Sequence, residues 1–251
     1  MSLITFTSDY GLSDHYMAKV KAYILSISSE ANILDISHSI KPFDIGHMAH
    51  VIKSVYSNFP EGTVHLIGGE PKNGKKGILI CFIENHWFVL PDNGLISLIS
   101  EQPLHAVFEV TPEDGHMMLE LGKTAALLSS GEPAEGLGKP ITDYVQYTAR
   151  KARATKKEIA GQVIHIDHYG NLITNIDKTD FDILSKNRKY TIQFGRDRVS
   201  QVNAYISQVD AGDVFFIFNE EKQLMLGVNQ GNGKALLGME FDSPVVIQFE
   251  D

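Results

Sequence analysis

The chain has 251 residues, 43% hydrophobic and 21% charged, enough for one large domain or two smaller ones around a real core. Its formal net charge of −9 argues against a nucleic-acid partner, which needs concentrated Lys and Arg. No apolar run approaches the ~18 residues of a membrane-spanning helix, and the single cysteine, Cys81, excludes an internal disulfide and a cysteine-based zinc site.

In chain order, LITFTS reads as a strand, and the opening Met1-Ser2-Leu3 enters it with no basic segment or cleavage site, so a cytoplasmic protein is expected. DHYMAKVKAYILSIS places Met17, Val20, Ile24 and Ile27 at helical spacing. ANILDIS predicts a second strand and FDIGHMAHVIKSVYSNF a second helix, closed by Pro60-Glu61-Gly62. TVHLIGG is a third strand, and GILICFIENHWFVLPD a hairpin with Asn85-His86 at its turn. Cys81, inside that hairpin, is expected to be a buried structural thiol. GLISLIS predicts a short helix, LHAVFEV a strand and GKTAALLSS a helix. This alternation argues for an α/β N-terminal domain, residues 1–150, with a mostly parallel sheet and flanking helices.

The basic stretch DYVQYTARKARATKKE then reads as a connector, with the linker at about 151–157. Beyond it come short strands separated by Gly, Asn and Asp: AGQVIHIDHYG, NLITNI, KYTIQF, DVFFIF, KQLMLGV and PVVIQF. They predict a small all-β, barrel-like C-terminal domain over 158–251, with one short helix at NGKALLG.

Ligands of open α/β sheets sit outside the carboxyl ends of the strands. Asp9 ends the first strand, where a carboxylate can accept both hydrogens of a ribose diol, bind a metal, or simply cap the next helix. Asp14 is placed as that cap, directly before HYMAKV. There is no G-x-G-x-x-G after the first strand and no P-loop motif. His47 and His50 lie three apart on a predicted helix, a metal pair or an ordinary helix face, and no metal site is assigned. His165 and Asp167 share one strand face, with the turn residues Gly170 and Asn171 following. Asp92-Asn93-Gly94 is a turn signal, and Glu70 to Lys76 is a polar loop after the third strand. Phe43, after Pro42, suits a hydrophobic staple or a stacking surface.

Taken in order, these segments resemble the S-adenosylmethionine hydroxide adenosyltransferases, relatives of the fluorinase and chlorinase. TSDYGLSDHYMAKVKAYI is similar to the family's T-D-F-G-x-x-D opening, and DISHSIKPFDI to D-I-T-H-x-I-x-P-x-D-I. FPEGTVHLIGGEP, LPDNGLIS and IDHYGNLITNI are similar to its F-P-x-G-T-V, P-D-N-G and I-D-x-F-G-N-x-x-T-N-I segments. The resemblance implies an α/β domain followed by a small β-barrel. It also implies a homotrimer whose sites lie between the first domain of one subunit and the second of the next. It implies that Asp9 binds the ribose hydroxyls, that Asp14 and Asp167 face the methionine ammonium, that Phe43 lies near the nucleoside, and that Asn93 is a substrate-binding residue. Tyr169 and Asn171 would serve the adenine and methionine ends, and Val228 and Asn229 the adenine.

The implied reaction is attack of water or hydroxide on ribose C5′ of S-adenosyl-L-methionine, giving adenosine and L-methionine without a cofactor. The family uses an Asp, an Arg and a His on the nucleophile. Here Glu70 stands for the Asp, Gly77 for the Arg with Lys75 and Lys76 nearest, and His116 keeps the His position ahead of Met117-Met118-Leu119. Glu70, Lys76 and His116 are therefore the catalytic candidates. The alternative is a non-catalytic or very slow binder of S-adenosylmethionine or adenosine, and a third reading is a metal-dependent hydrolase built on His47 and His50.

Overall fold

The computed structural model describes residues 3–69, 77–100, 102–104, 106–112 and 116–250. The chain divides into two units, residues 1–148 and 149–251. The first contains, in order, β1 (Ile4–Ser8), α1 (Tyr16–Ile27), β2 (Ile33–Ser37), α2 (Ile45–Lys53), β3 (Val64–Gly68) and β4 (Ile78–Ile83). There follow β5 (His86–Pro91), α3 (Leu95–Ile99), β6 (Val107–Val110), α4 (Met117–Ser129), α5 (Ala134–Leu137) and β7 (Lys139–Pro140).

One seven-stranded sheet takes these strands in the order β2-β1-β3-β5-β4-β6-β7. β1 pairs in parallel with β2 and β3, and β3 in parallel with β5. The mostly parallel sheet expected from the alternation is corrected to a mixed one, because β4 runs antiparallel to β5 and β6, and β6 to β7. Part of the reason is local. Glu84 and Asn85 take φ of 47° and 68°, the two left-handed residues of a tight turn whose twist folds neighbouring strands back on each other. The expected hairpin is present, but His86 opens β5 instead of occupying the turn.

Every residue of β1 and β3 is buried, as strands covered on both faces require. Alternation sends successive side chains to opposite faces. Leu66, Ile78 and Ile80 pack with Val20 and Ile24 of α1 and Leu121 of α4, while Ile67, Leu79 and Cys81 pack with Ile52 of α2 and Ile96 of α3. Ile27, expected on the buried face of α1, is exposed instead. α2 stops at Lys53 and a 3-10 turn over Tyr56–Asn58 follows, so the long helix expected there is shorter. Cys81 is buried, and desolvation pushes its thiol well above the ordinary range. No helix among the described residues is long and apolar enough to cross a membrane.

The second unit contains β8 (Arg153–Ala154), β9 (Glu158–Ile166), β10 (Leu172–Asp177), α6 (Lys178–Ser185), β11 (Tyr190–Phe194) and β12 (Asp197–Val199). It ends with β13 (Val214–Phe218), β14 (Gln223–Val228), α7 (Gly233–Leu237) and β15 (Pro244–Phe249). Its strands run β12-β11-β15-β9-β10-β14-β13, with β8 on β9, through antiparallel pairings. Ile192 and Phe194 near one end of that order share a core with Phe216 near the other, so the sheet curls on itself. It keeps two ends and is a half-barrel rather than a closed barrel. The all-β expectation is also corrected: α6 is present beside the predicted α7. Asp177 caps α6 by accepting the Thr179 N–H at 2.6 Å, and Phe181 is its one buried residue, too weak an apolar signal to read as a helix. The stretch expected as a connector carries β8.

Behind β3 lies a polar chain inside the apolar layer. Thr5 Oγ1 is 2.7 Å from His65 Nδ1, and His65 Nε2 is 3.3 Å from His86 Nδ1, beneath the rings of Tyr56 and Phe88. Desolvation, reinforced by His86, pushes the His65 imidazole from 6.5 down to about 3. The folded protein therefore keeps His65 neutral while the unfolded chain takes up a proton as pH falls through 6.5. Stability is full above that pH and is lost below it, by up to about 1.4 kcal/mol per pH unit. Urea denaturation on both sides of the transition should show this slope, and His65→Phe should flatten it. Equal slopes in the two proteins would show that His65 does not carry the effect.

Candidate functional site

The chain leaves β1 for β2 on one side and returns to β3 on the other, so a crevice opens where strand order reverses. Asp9 is the first residue after β1 and Gly69 the first after β3. A Cβ on Gly69 would lie 3.6 Å from Asp9 Oδ1, an ordinary contact distance that places Gly69 beside that carboxylate. A Cβ on Gly68 would stand 2.8 Å from the Tyr10 ring, which needs the space.

Asp9 does not cap α1. Its Oδ2 accepts the Phe43 N–H at 3.0 Å. Phe43 holds φ at 62°, in the left-handed region, which costs a non-glycine residue on the order of 1–2 kcal/mol, and its ring is more than half exposed. Asp44 fixes this conformation from the other side, capping α2 by accepting the His47 N–H at 2.9 Å. The crevice is completed by Asn93, whose Oδ1 accepts the Leu95 N–H at 3.1 Å in the turn after β5. The preceding Asp92 is fully buried and accepts the Val145 N–H at 2.8 Å, while its own N–H donates to Gly77 O at 2.9 Å. Asp9, Phe43 and Asn93 thus line one cavity, with Ile45, Met48 and Gly69. A carboxylate, an exposed aromatic ring and a buried amide around an apolar floor suit a ligand with hydroxyl donors and a planar face.

In the second unit Asp167 and Asn171 close the turn between β9 and β10. The Asn171 N–H and Nδ2 donate to the Asp167 carboxylate at 2.8 and 2.9 Å. Gly170 holds φ at 84°, and its carbonyl accepts the Lys234 N–H at 2.8 Å. A Cβ on Gly227 would fall 2.3 Å from Asn171 Oδ1, which places Asn171 over the end of β14. Val228 is buried there, and Asn229 Nδ2 donates to Val209 O at 2.7 Å. Tyr169 is 75% exposed at the tip of the turn.

Other expected residues lie elsewhere. Asp14 is exposed ahead of α1, and the capping position belongs to His15, which makes no side-chain cap, so the expected capping by Asp14 is corrected. His116 is exposed at the start of α4 and, like Asp14, does not line the cavity. Glu70 and Lys76 fall outside the described residues. At Gly77, where the resemblance calls for Arg, a Cβ would meet Glu109 Oε1 at 2.4 Å, so a carboxylate fills the place where that side chain would begin. His47 Nδ1 accepts the Lys41 N–H at 3.1 Å, and burial holds its imidazole below the ordinary value although Asp44 pulls it upward. Among the described residues no group of three or more His, Cys, Asp or Glu could hold a metal ion. Sequence reasoning missed Gly68 and Gly227, whose only signals were the runs IGGE and LGVNQGNG.

Residues 4–138 match the SAM (S-adenosylmethionine) hydroxide adenosyltransferase N-terminal domain, and residues 161–246 match the C-terminal domain. The chain belongs to this family. The (R)-S-adenosyl-L-methionine hydrolase of Methanocaldococcus jannaschii is 32% identical over 195 residues, 72% of this chain and 69% of its own length. The Thermus thermophilus protein of the same name is 26% identical over 98% of this chain and 99% of itself. A fluorinase of Nocardia brasiliensis is 26% identical over 84% of each chain. The crystal structure of an uncharacterized conserved protein from Thermotoga maritima superposes with a TM-score of 0.87 at 27% identity, covering 98% of this chain and all of the other.

The Asp167–Asn171 turn gives a direct test. A Cβ on Gly170 would sit 2.4 Å from Asn232 Oδ1, which caps α7 by accepting the Ala235 N–H. Gly170→Ala should therefore lose about 1–3 kcal/mol through backbone strain and a displaced cap. Chemical denaturation measures this, and a loss within experimental error would refute the packing described.

Proposed function

We propose that this chain hydrolyses S-adenosyl-L-methionine to adenosine and L-methionine. The observation that carries the reading is the Asp9 carboxylate at the β1/β3 crevice, held through Oδ2 by the Phe43 N–H, with Asn93 on the same cavity. A ribose 2′,3′-diol offers two O–H donors to such a carboxylate, and the exposed Phe43 ring offers a face to the nucleoside. The family membership and the hydrolase names of the relatives support the same substrate.

In the reaction, water attacks C5′ opposite the sulfonium. The C5′–S bond breaks with its electron pair remaining on sulfur, so methionine leaves as a neutral thioether and needs no acid. The water must be held ~3–3.5 Å from carbon and must give up one proton, the step that calls for a base. In this reading Glu70, Lys76 and His116 orient and deprotonate the water. Asp14 and Asp167 take the methionine ammonium, Tyr169 and Asn171 serve the adenine and methionine ends, and Val228 and Asn229 the adenine. The displacement needs no cofactor, and the chain acts as a cytoplasmic homotrimer.

Incubation with S-adenosylmethionine, resolved by chromatography and mass, should yield adenosine and methionine in equal amounts and no 5′-halo-adenosine when chloride or fluoride is added. Both sulfonium epimers should be offered, with turnover expected of the (R) form named in the relatives. Asp9→Ala should lower kcat/KM about 100-fold, some 2.7 kcal/mol, and His116→Ala should lower kcat. Full activity in both variants would discard these roles. Light scattering should return three times the chain mass, and a monomer would discard the trimer.

A further inference from the structure

We infer that His38 is a positioning residue that holds Asp9 in place from behind, through Ser8 on one side and the 38–44 loop on the other. The inference takes its activity readout from the substrate proposed above.

Ser8 ends β1 and is fully buried, and His38, after β2, is 3% exposed. Ser8 Oγ is 2.6 Å from His38 Nδ1 and also accepts the Tyr10 N–H at 3.3 Å. Gly11 N–H donates to His38 O at 2.9 Å. Asp9 is thus bracketed by residues fastened to His38, directly at Gly11 and through Ser8 at Tyr10. The loop that starts at His38 then brings the Phe43 N–H onto Asp9 itself. The Phe6 ring meets the imidazole edge to face at 4.6 Å and limits its rotation.

The far side of the ring fixes which nitrogen carries a proton. His38 Nε2 lies 3.1 Å from Asp35 Oδ1, close enough for a hydrogen bond but not aligned as one, so the attraction is chiefly electrostatic. Burial alone would raise the Asp35 carboxyl, but the hydrogen bond from Lys21 and the attraction of His38 outweigh it and hold the group below its ordinary value. A carboxylate only accepts, so Nε2 carries a proton, and it is the only one when the ring is neutral. In that tautomer Nδ1 accepts a hydrogen bond from the Ser8 hydroxyl, and Ser8 Oγ accepts the Tyr10 N–H. The Ser-His-Asp order suggests a nucleophilic triad, but a fully buried Ser8 that does not line the cavity cannot reach a substrate. The arrangement positions a neighbour instead.

The two amide substitutions separate the roles, because Asn can present an acceptor where Nδ1 stands and Gln reaches only the place of Nε2. His38→Asn should keep the wild-type KM, whereas His38→Gln and Ser8→Ala should raise KM about tenfold with a much smaller change in kcat, the signature of lost binding. Hydrogen exchange in the ligand-free protein gives a second readout: the Gly11 and Phe43 amides should exchange faster in His38→Gln and Ser8→Ala but not in His38→Asn. Wild-type exchange and KM in His38→Gln and Ser8→Ala would overturn the inference, as would equal damage in Asn and Gln. Ser8→Ala, which removes one oxygen, decides the matter if the His38 variants do not fold. If the wild-type protein neither binds nor consumes S-adenosylmethionine, the substrate reading falls, and the exchange data still judge His38.

Discussion

One hydrogen bond, from the Phe43 N–H to Asp9 Oδ2, ties the loop after β1 to the loop that opens α2. The crevice is only as well defined as that bond. Strand order creates the opening, since the chain leaves β1 on one side and returns on the other, but an opening between diverging loops has no shape of its own. Shape comes from what pins the loops. Asp44 caps α2 and so holds Phe43 in a left-handed conformation that a phenylalanine would otherwise avoid. Glycine at 68 leaves room for the Tyr10 ring. The apolar layers beneath supply rigidity, with β1 and β3 buried along their whole lengths. Specificity in such a site rests on backbone donors and small residues as much as on the charged groups that first draw attention.

Much of this could be read in advance because it is local. Alternating and helical apolar spacing marked the strands, and Asp9 stood out because a charged residue directly follows a buried strand. Asn93 came with a turn signature that also explains its hydrogen bond. What could not be read depends on partners distant in the chain. Gly68 matters because Tyr10 lies beside it, and Gly227 because Asn171 does. The mixed sheet begins with the β4/β5 hairpin, which was legible, but it also depends on how β6 and β7 are added at one edge, and periodicity does not encode strand direction. α6 escaped because one buried phenylalanine makes no pattern. Asp14 was expected to cap α1, yet the helix begins past His15, and helix starts vary by a residue or two even when a capping type is nearby.

The departure at Gly77 gains meaning from its surroundings. In sequence it reads as a lost arginine. In space the absence of a side chain makes room for Glu109, which reaches across from β6, and the Gly77 carbonyl receives the Asp92 N–H next to Asn93. A cation returned to position 77 would compete for the volume that Glu109 fills.

Cys81 is the chain's only thiol, and it lies in the first unit, buried in the layer beneath α2 and α3. Burial withholds it from reagents and keeps it in the unreactive protonated form. An alkylating reagent can reach it only when that layer opens. Its labelling rate is therefore a clock for opening of the first unit alone, since the second contains no cysteine. A ligand held at the crevice should slow that clock without any engineered probe.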